Sequence, residues 1–417
     1  MGSLTDYAGY GRKFRKELDK LDHHTDADRP HVKRWLNSLD GNVTEGTMGE
    51  YLRQLRIASK RLDCPLVELT EDRMDAYKFE MRHERQGGDG LSDFTVKQRQ
   101  FVIRRFLQFV NSDLDGLDWA DDYELVKPDS KTISADDMLT QEDIRKLTEG
   151  AQNLRDIAVI EFLADTGARL SLMGSLRVGD VDLDTEQATY TPNDEARGLK
   201  GAPITEYPLI DSKASLRTYL RNTHPRPDVD EAAFFHKLSE TRRTWREDDG
   251  AVSPNTIRRQ LRRAAEHGGV DKPVNPHNFR HSAVTRMARE GYTRSQIEHR
   301  VHWTIDTDMW ETYEHIASEQ HNSDIFAQAG VIDPEDRDGP SRERHPCGNC
   351  HETLAPHHEF CPRCGEPATP ERREEVDAKR DVVVDELVKA TDAETRQQLR
   401  TLLDAIDENP QHAVDGS

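Results

Sequence analysis

The chain has 417 residues, of which 34% are hydrophobic and 33% are charged, and its formal net charge at pH 7 is −21. This length predicts two to four domains with at least one full hydrophobic core. The sequence contains no run of about twenty apolar residues and no charged-then-apolar leader. We therefore expect a cytoplasmic protein without a membrane partner rather than a membrane-spanning or secreted one.

The N-terminal part of the chain predicts a compact all-helical domain over residues 1–125. The first thirty residues or so are charged and only partly periodic, so we expect a frayed helical leader there. A polar, proline-bearing segment at 126–138 is the predicted linker that follows the domain. Lys and Arg recur along the polar helix faces, where a solvated surface and a nucleic-acid-binding face are both open interpretations. Apolar residues at helical spacing predict helices at 32–39, 44–62, from 70 onward and from 92 to 110.

A second, mixed region is predicted at residues 139–332. Short runs of strand-forming residues between 181 and 210 predict a small antiparallel sheet, and the loop 197–201 joins its last two strands. The helix that includes His277 is expected to end near Gly291. The fold class is therefore mainly α with a small antiparallel β-sheet. Helices are expected to begin near Thr140, Arg155, Leu170, Ser212, Ser253 and His277.

Four of the five cysteines lie close together near the C-terminus. Two thiolates separated by two residues can bind one ion, and two such pairs complete a tetrahedral site, so we expect a structural zinc ion in a ribbon at 346–369. Four reduced thiols without metal are the alternative, and Cys64 is expected to be a small buried residue. A charged linker at 333–345 and a charged helical tail at 370–417 flank this ribbon. The pairs are Cys347 with Cys350 and Cys361 with Cys364.

Large acidic excess does not exclude a polyanionic partner, because arginines gathered in one cleft still attract phosphate. Arg outnumbers Lys in this chain, and an acidic composition with little Lys is typical of a high-salt cytoplasm. We therefore expect a halophilic, haloarchaeal source.

Several side chains of residues 139–332 suit phosphate chemistry. Arg169 follows a Thr-Gly pair that ends a helix, and His277 and Arg280 share one helical face at i, i+3 spacing. Trp303 and Tyr313 add an indole and a phenol. Each of these residues, taken alone, is more often an ordinary surface or core residue, so no single one of them identifies a site.

Taken together and in order, these residues resemble the motifs of a known family. Residues 166–171 with 176–181 resemble the first arginine box of the tyrosine recombinase (phage integrase) family, and residues 277–281 resemble its His-x-x-Arg box. Residues 297–303 are similar to the segment that ends in the family's His-or-Trp position. Tyr313 lies in a segment similar to the one that carries the family's nucleophile.

The resemblance implies an N-terminal core-binding domain that contacts DNA, at residues 1–125, and a catalytic recombinase domain at residues 139–332. It implies a site-specific recombinase, an integrase or resolvase, that acts as a tetramer on double-stranded DNA in the nucleoid. No catalytic metal and no nucleotide cofactor is expected.

The same resemblance implies a role for each site residue. Tyr313 attacks a DNA phosphodiester and forms a 3′-phosphotyrosyl bond, and His277 is the candidate base. Arg169 and Arg280 bind the non-bridging oxygens, since a guanidinium matches phosphate geometry. Lys200 matches the lysine that protonates the leaving oxygen.

Some assignments stay open at this stage. Leu172 stands where the family usually has an acidic residue. Trp303 is assigned to the fourth box with His302 as the rival, and Arg197 lies close to Lys200. An inactive DNA-binding regulator or architectural protein is the alternative function, and a type IB topoisomerase is a third. By position alone, the ribbon and tail are expected to hold DNA or another protomer.

Overall fold

The computed structural model describes residues 3–83, 90–128, 134–238, 249–304, 307, 310, 329, 344–390, 392–408 and 410–411. The chain divides into two compact units, one formed by Ala8–Thr132 and the other by Met1–Tyr7 together with Ile133–Ser417. Within the described part of the chain, no helix combines the length and the apolar character needed to cross a bilayer.

The smaller unit is helical, as the sequence predicts. The side chains of Thr44 and Ser92 cap α3 and α5 by accepting backbone N–H groups of the first turn. Trp35 stacks on Tyr51 with ring centroids 5.4 Å apart in the middle of the core. Within its described residues the helices are α1 (Tyr10–Leu18), α2 (Asp28–Leu39), α3 (Glu45–Arg61), α4 (Glu71–His83), α5 (Asp93–Val110) and α6 (Trp119–Asp122).

The charged leader is more ordered than the sequence predicts. Helix α1 forms and packs against α3. A Cβ atom at Gly49 would lie 3.2 Å from the Phe14 Cα, so the glycine permits this close approach. Arg99 also departs from the polar-face pattern, because it is buried and its Nε donates to the Gln54 side chain at 2.9 Å.

The larger unit is built around one helix, α8. Most of its residues are buried, and it packs against α7, α10 and α12. Ile160, Phe162 and Leu163 are fully buried there in the main apolar core. The described helices up to residue 304 are α7 (Gln141–Glu149), α8 (Leu154–Thr166), α9 (Leu170–Ser175), α10 (Lys213–Asn222), α11 (Pro254–Gly268), α12 (Pro276–Arg289) and α13 (Arg294–Arg300).

A three-stranded antiparallel sheet lies beside this helical core, in the order β1-β2-β3. Val181 pairs with Tyr190, and Tyr190 pairs with Tyr207. The third strand is shorter than the expected 203–209, because only two of its residues join the ladder. The strands are β1 (Val181–Asp182), β2 (Thr189–Tyr190) and β3 (Tyr207–Pro208).

The C-terminal part contains a small hairpin followed by two helices. The hairpin is β4 (His345–Pro346) with β5 (Thr353–Leu354), which pair antiparallel. The expected single helical tail is instead two helices that pack against each other, α14 (Pro370–Lys389) and α15 (Ala393–Glu408).

Candidate active site and metal centre

The first arginine box lies where α8 ends. Gly167 has φ 60°, and a Cβ atom there would lie 3.1 Å from the Ala283 Cβ and 3.2 Å from a Val301 methyl carbon. A glycine therefore suits both the left-handed turn and the close approach of α12 and α13. Arg169 follows at the N-cap of α9, half-buried, and burial lowers its pKa. It nevertheless remains cationic at neutral pH, because a guanidinium does not lose its proton there.

Arg280 is held from two sides. Its side chain is 3% exposed, and Nη1 donates to the Gly167 carbonyl oxygen at 2.9 Å. Its guanidinium carbon lies 5.2 Å from the centroid of the Trp303 ring, within the range of a cation–π contact. The carbonyl and the indole together restrict the guanidinium to one orientation beside Gly167.

His277 lies in the first turn of α12, where the Asn275 side chain caps the helix. Partial burial, followed by the positive charges of Arg280, Arg169 and Lys200, lowers the pKa of His277. A lower pKa keeps the imidazole neutral near neutral pH, which a proton acceptor requires. All three cations are therefore near enough to the imidazole to disfavour its protonated form.

Lys200 projects from the loop between β2 and β3. It is exposed and has φ 53°. Its loop is anchored on both sides, because Leu199 and Ala202 are buried and the Ser171 hydroxyl donates to the Gly198 carbonyl oxygen at 3.1 Å.

His302 and Trp303 are neighbours in sequence with different surroundings. The His302 ring is buried, its Nε2 lies 2.5 Å from the Tyr190 hydroxyl, and its centroid is 4.3 Å from that of Tyr207. Its φ of 59° is the left-handed conformation that glycine adopts readily. Trp303 contacts the Arg280 guanidinium through its ring.

The structure thus brings together Arg169, Lys200, His277, Arg280 and Trp303. Tyr313 lies outside the described residues. The catalytic roles of all six stay predictions.

Asp165 organises this end of the domain, although nothing in the sequence pattern predicted it. Its carboxylate is 1% exposed, binds the Arg300 guanidinium at 2.6 Å, and accepts the Ile210 N–H and the Ser212 hydroxyl at 2.8 Å each. These bonds tie α8 to α13 and to the chain that leaves β3. No sequence pattern marks them, because the partners are far apart along the chain.

The four C-terminal cysteines converge, as the sequence predicts. Their sulfur atoms all lie within 4.8 Å of one another, and two of the Sγ–Sγ distances are 3.6 Å. Tetrahedral zinc with bonds of about 2.3 Å places sulfurs about 3.8 Å apart, so these residues fit the ion. The backbone also supports the pairs, since Cys347 and Cys361 donate their N–H groups to Glu352 and Glu366.

This ribbon packs against the helices of its own unit. The Glu161 carboxylate of α8 contacts the His358 Nε2 at 3.0 Å and accepts the Ser215 hydroxyl at 2.6 Å. Glu352, 2% exposed at its side chain, pairs with Arg217 of α10. The ribbon therefore packs on α8 and α10. The expectation that it also holds DNA or another protomer stays a prediction.

Replacing Cys347 with Ser is expected to release the bound zinc and to lower the free energy of unfolding by roughly 2–4 kcal/mol, because metal binding is coupled to folding. Zinc content per chain and thermal unfolding measure these effects. Cys64→Ser is the matched control, since Cys64 lies in the other unit and should leave zinc content unchanged. Equal zinc content in the two variants would contradict the assignment.

Comparison with known proteins adds independent findings. Residues 137–320 match the model of the phage integrase family. The chain is 26% identical over 275 residues to the tyrosine recombinase XerD of Mycobacterium tuberculosis, which covers 61% of this chain and 82% of that protein. It is 30% identical over 210 residues to the tyrosine recombinase XerA of Thermococcus kodakarensis, and this alignment covers 49% of this chain and 64% of that protein.

Solved structures support the fold. The Tn1549 transposon integrase in complex with transposon right end DNA matches with a TM-score of 0.52 and 15% identity, covering 72% of this chain and 98% of that one. The same integrase in complex with a circular intermediate DNA gives a TM-score of 0.51 at 15% identity, covering 71% and 98%.

Proposed function

We infer that the chain belongs to the phage integrase family of tyrosine recombinases and is a site-specific DNA recombinase. The observation that carries this function is that Arg280, one helical turn after His277, binds the Gly167 carbonyl oxygen two residues before Arg169. The charges of Arg280, Arg169 and Lys200 also lower the pKa of His277. Each cation comes from a different part of the chain, and together they form a site for one phosphate group.

We propose that Tyr313 attacks a phosphodiester and that the chain proceeds through a 3′-phosphotyrosyl intermediate. A free tyrosine phenol has a pKa of about 10, so the proton of the attacking hydroxyl must be removed as the bond to phosphorus forms, and neutral His277 is the acceptor. Lys200 gives a proton to the departing 5′ oxygen. The covalent bond conserves the energy of the broken linkage, so rejoining needs no nucleotide cofactor.

Arg169 and Arg280 stabilise the charge that accumulates on the non-bridging oxygens. Trp303 supports this role indirectly, because it packs under the Arg280 guanidinium. The arginines thereby neutralise the phosphate without a catalytic metal.

The partner we propose is double-stranded DNA at specific sites, bound by a tetramer of the chain in the cytoplasm. The Ala8–Thr132 unit would serve as the core-binding domain. The ribbon would hold one structural zinc ion, and a haloarchaeal source would explain the acidic composition. The alternative, a DNA-binding regulator without cleavage, is disfavoured because a pure binder has no need for an imidazole among three cations.

A nicked DNA duplex that carries a candidate site tests this function. Cleavage next to the nick releases a short strand, so rejoining fails and the protein should remain linked to the 3′ phosphate on a denaturing gel. Binding without a covalent adduct would support the regulator instead. A type IB topoisomerase would also relax a plasmid that lacks any site, and we expect no such relaxation.

A further inference from the structure

The first residues of the chain belong to the larger unit although the smaller unit follows them in sequence. Leu4 and Tyr7 are 5% and 3% exposed, and they pack against Leu170, Ala233 and Ala251. The Leu4 N–H donates to the Asp249 carboxylate at 2.7 Å. We call residues 3–7 the N-terminal strap.

One glycine shows how closely the strap fits. A Cβ atom at Gly174 would lie 2.0 Å from a ring carbon of Tyr7. Any larger residue there would displace the tyrosine. The Tyr7 ring therefore packs directly against the Gly174 backbone in α9.

The strap contacts the loop that carries Lys200. The Thr5 carbonyl oxygen accepts the Arg197 N–H at 2.8 Å. At the next residue, the Gly198 carbonyl oxygen accepts a hydrogen bond from the Ser171 hydroxyl of α9. The loop is thus fixed by the strap and by α9 just before Lys200.

We propose that the N-terminal strap is a positioning element for Lys200 in the recombination reaction. This inference rests on the proposed function. It makes residues 3–7 a support for the Lys200 loop within the larger unit rather than a part of the DNA-binding unit. The strap touches no reacting atom. It acts through the Thr5–Arg197 bond and through the burial of Leu4 and Tyr7.

The physical reason is the distance between the Lys200 ammonium group and the leaving oxygen. Lys200 is exposed on a loop, and the loop has local backbone bonds rather than a strand ladder around it. A general acid must lie within hydrogen-bond distance of the leaving oxygen when the phosphorus–oxygen bond breaks. Without the strap, Arg197 loses its backbone partner and the loop samples more conformations, so the ammonium group is in place less often.

The experiment compares the full chain with a variant lacking residues 1–7 on two nicked substrates. In one, the leaving atom is the ordinary 5′ oxygen; in the other it is sulfur, which leaves as a thiolate and needs no proton. We expect the deletion to slow cleavage of the oxygen substrate roughly 10- to 100-fold and of the sulfur substrate less than about 3-fold. Lys200→Ala should show the same pattern.

Controls separate positioning from unfolding. Thr5→Ala keeps the carbonyl that Arg197 binds, and its side chain is exposed, so cleavage should be unchanged. If the deletion variant does not fold, Leu4→Ala supplies the comparison, since it removes buried area but keeps the backbone.

Equal slowing on both substrates, an unaffected deletion variant, or a Lys200→Ala defect that sulfur does not rescue would each overturn the proposal. Failure of the proposed function is distinct, because the unaltered chain would then form no covalent adduct with either substrate.

Discussion

Replacing Tyr313 with Phe is expected to abolish the covalent protein–DNA adduct while DNA binding remains. Phenylalanine keeps the ring but lacks the oxygen that is proposed to attack phosphorus. We expect cleavage to fall by roughly 10⁴-fold or more. The measurement is the fraction of nicked substrate linked to protein on a denaturing gel, beside a native gel that reports binding.

A second tyrosine serves as the matched control. Tyr292 is partly buried and packs against the apolar cluster that contains Val284 and Trp303. Tyr292→Phe keeps this packing and should form the adduct at the normal rate. If Tyr313→Phe still forms the adduct, the nucleophile is another residue and the assignment is wrong.

Replacing Arg280 with Ala is expected to reduce cleavage by about 10³-fold with little loss of binding. The guanidinium already donates to the Gly167 carbonyl and stacks on Trp303, so it is oriented before DNA arrives. Its stabilisation grows as negative charge develops on the phosphate oxygens, which is why the rate falls more than the affinity. Single-turnover cleavage at saturating protein measures this effect.

Arg280→Lys should restore only a small part of the rate. The lysine ammonium is a compact charge, so it cannot both stack on the Trp303 ring and donate two parallel hydrogen bonds to the phosphate oxygens. Arg286 provides a control on the same helix, since its Nη1 donates to the Ala164 carbonyl at 2.6 Å rather than facing the site. Arg286→Ala should lower thermal stability while folded molecules keep cleaving. An Arg280→Ala variant that cleaves within about 10-fold of the normal rate would contradict the proposed role.

Local features were predictable because neighbouring residues decide them. Thr140 caps α7 with a reciprocal bond to Asp143, and Ser253 caps α11 ahead of its proline. Apolar periodicity likewise predicted α3 and α5 to within a residue or two at each end. The two cysteine pairs predicted one cluster, since each short spacing in sequence already holds two sulfur atoms close together.

Features that depend on distant partners could not be predicted in the same way. Arg99 looked like one more basic residue on a polar face, yet it is buried against Gln54. The leader was expected to be frayed, but α1 packs on α3 and the strap packs on α9. Asp165 had no sequence signal at all.

For this protein, the order of its boxes and the identity of its charged residues by themselves indicated the resemblance to a family and the chemistry that we propose, because the side-chain types name the groups that are available. Only the tertiary structure decided which groups meet: Trp303 under Arg280, His302 against Tyr190, and Thr5 beside the Lys200 loop. The physical reason is that these contacts are made across long loops, and their free energy comes from burial and hydrogen bonds that exist only when the whole unit is packed.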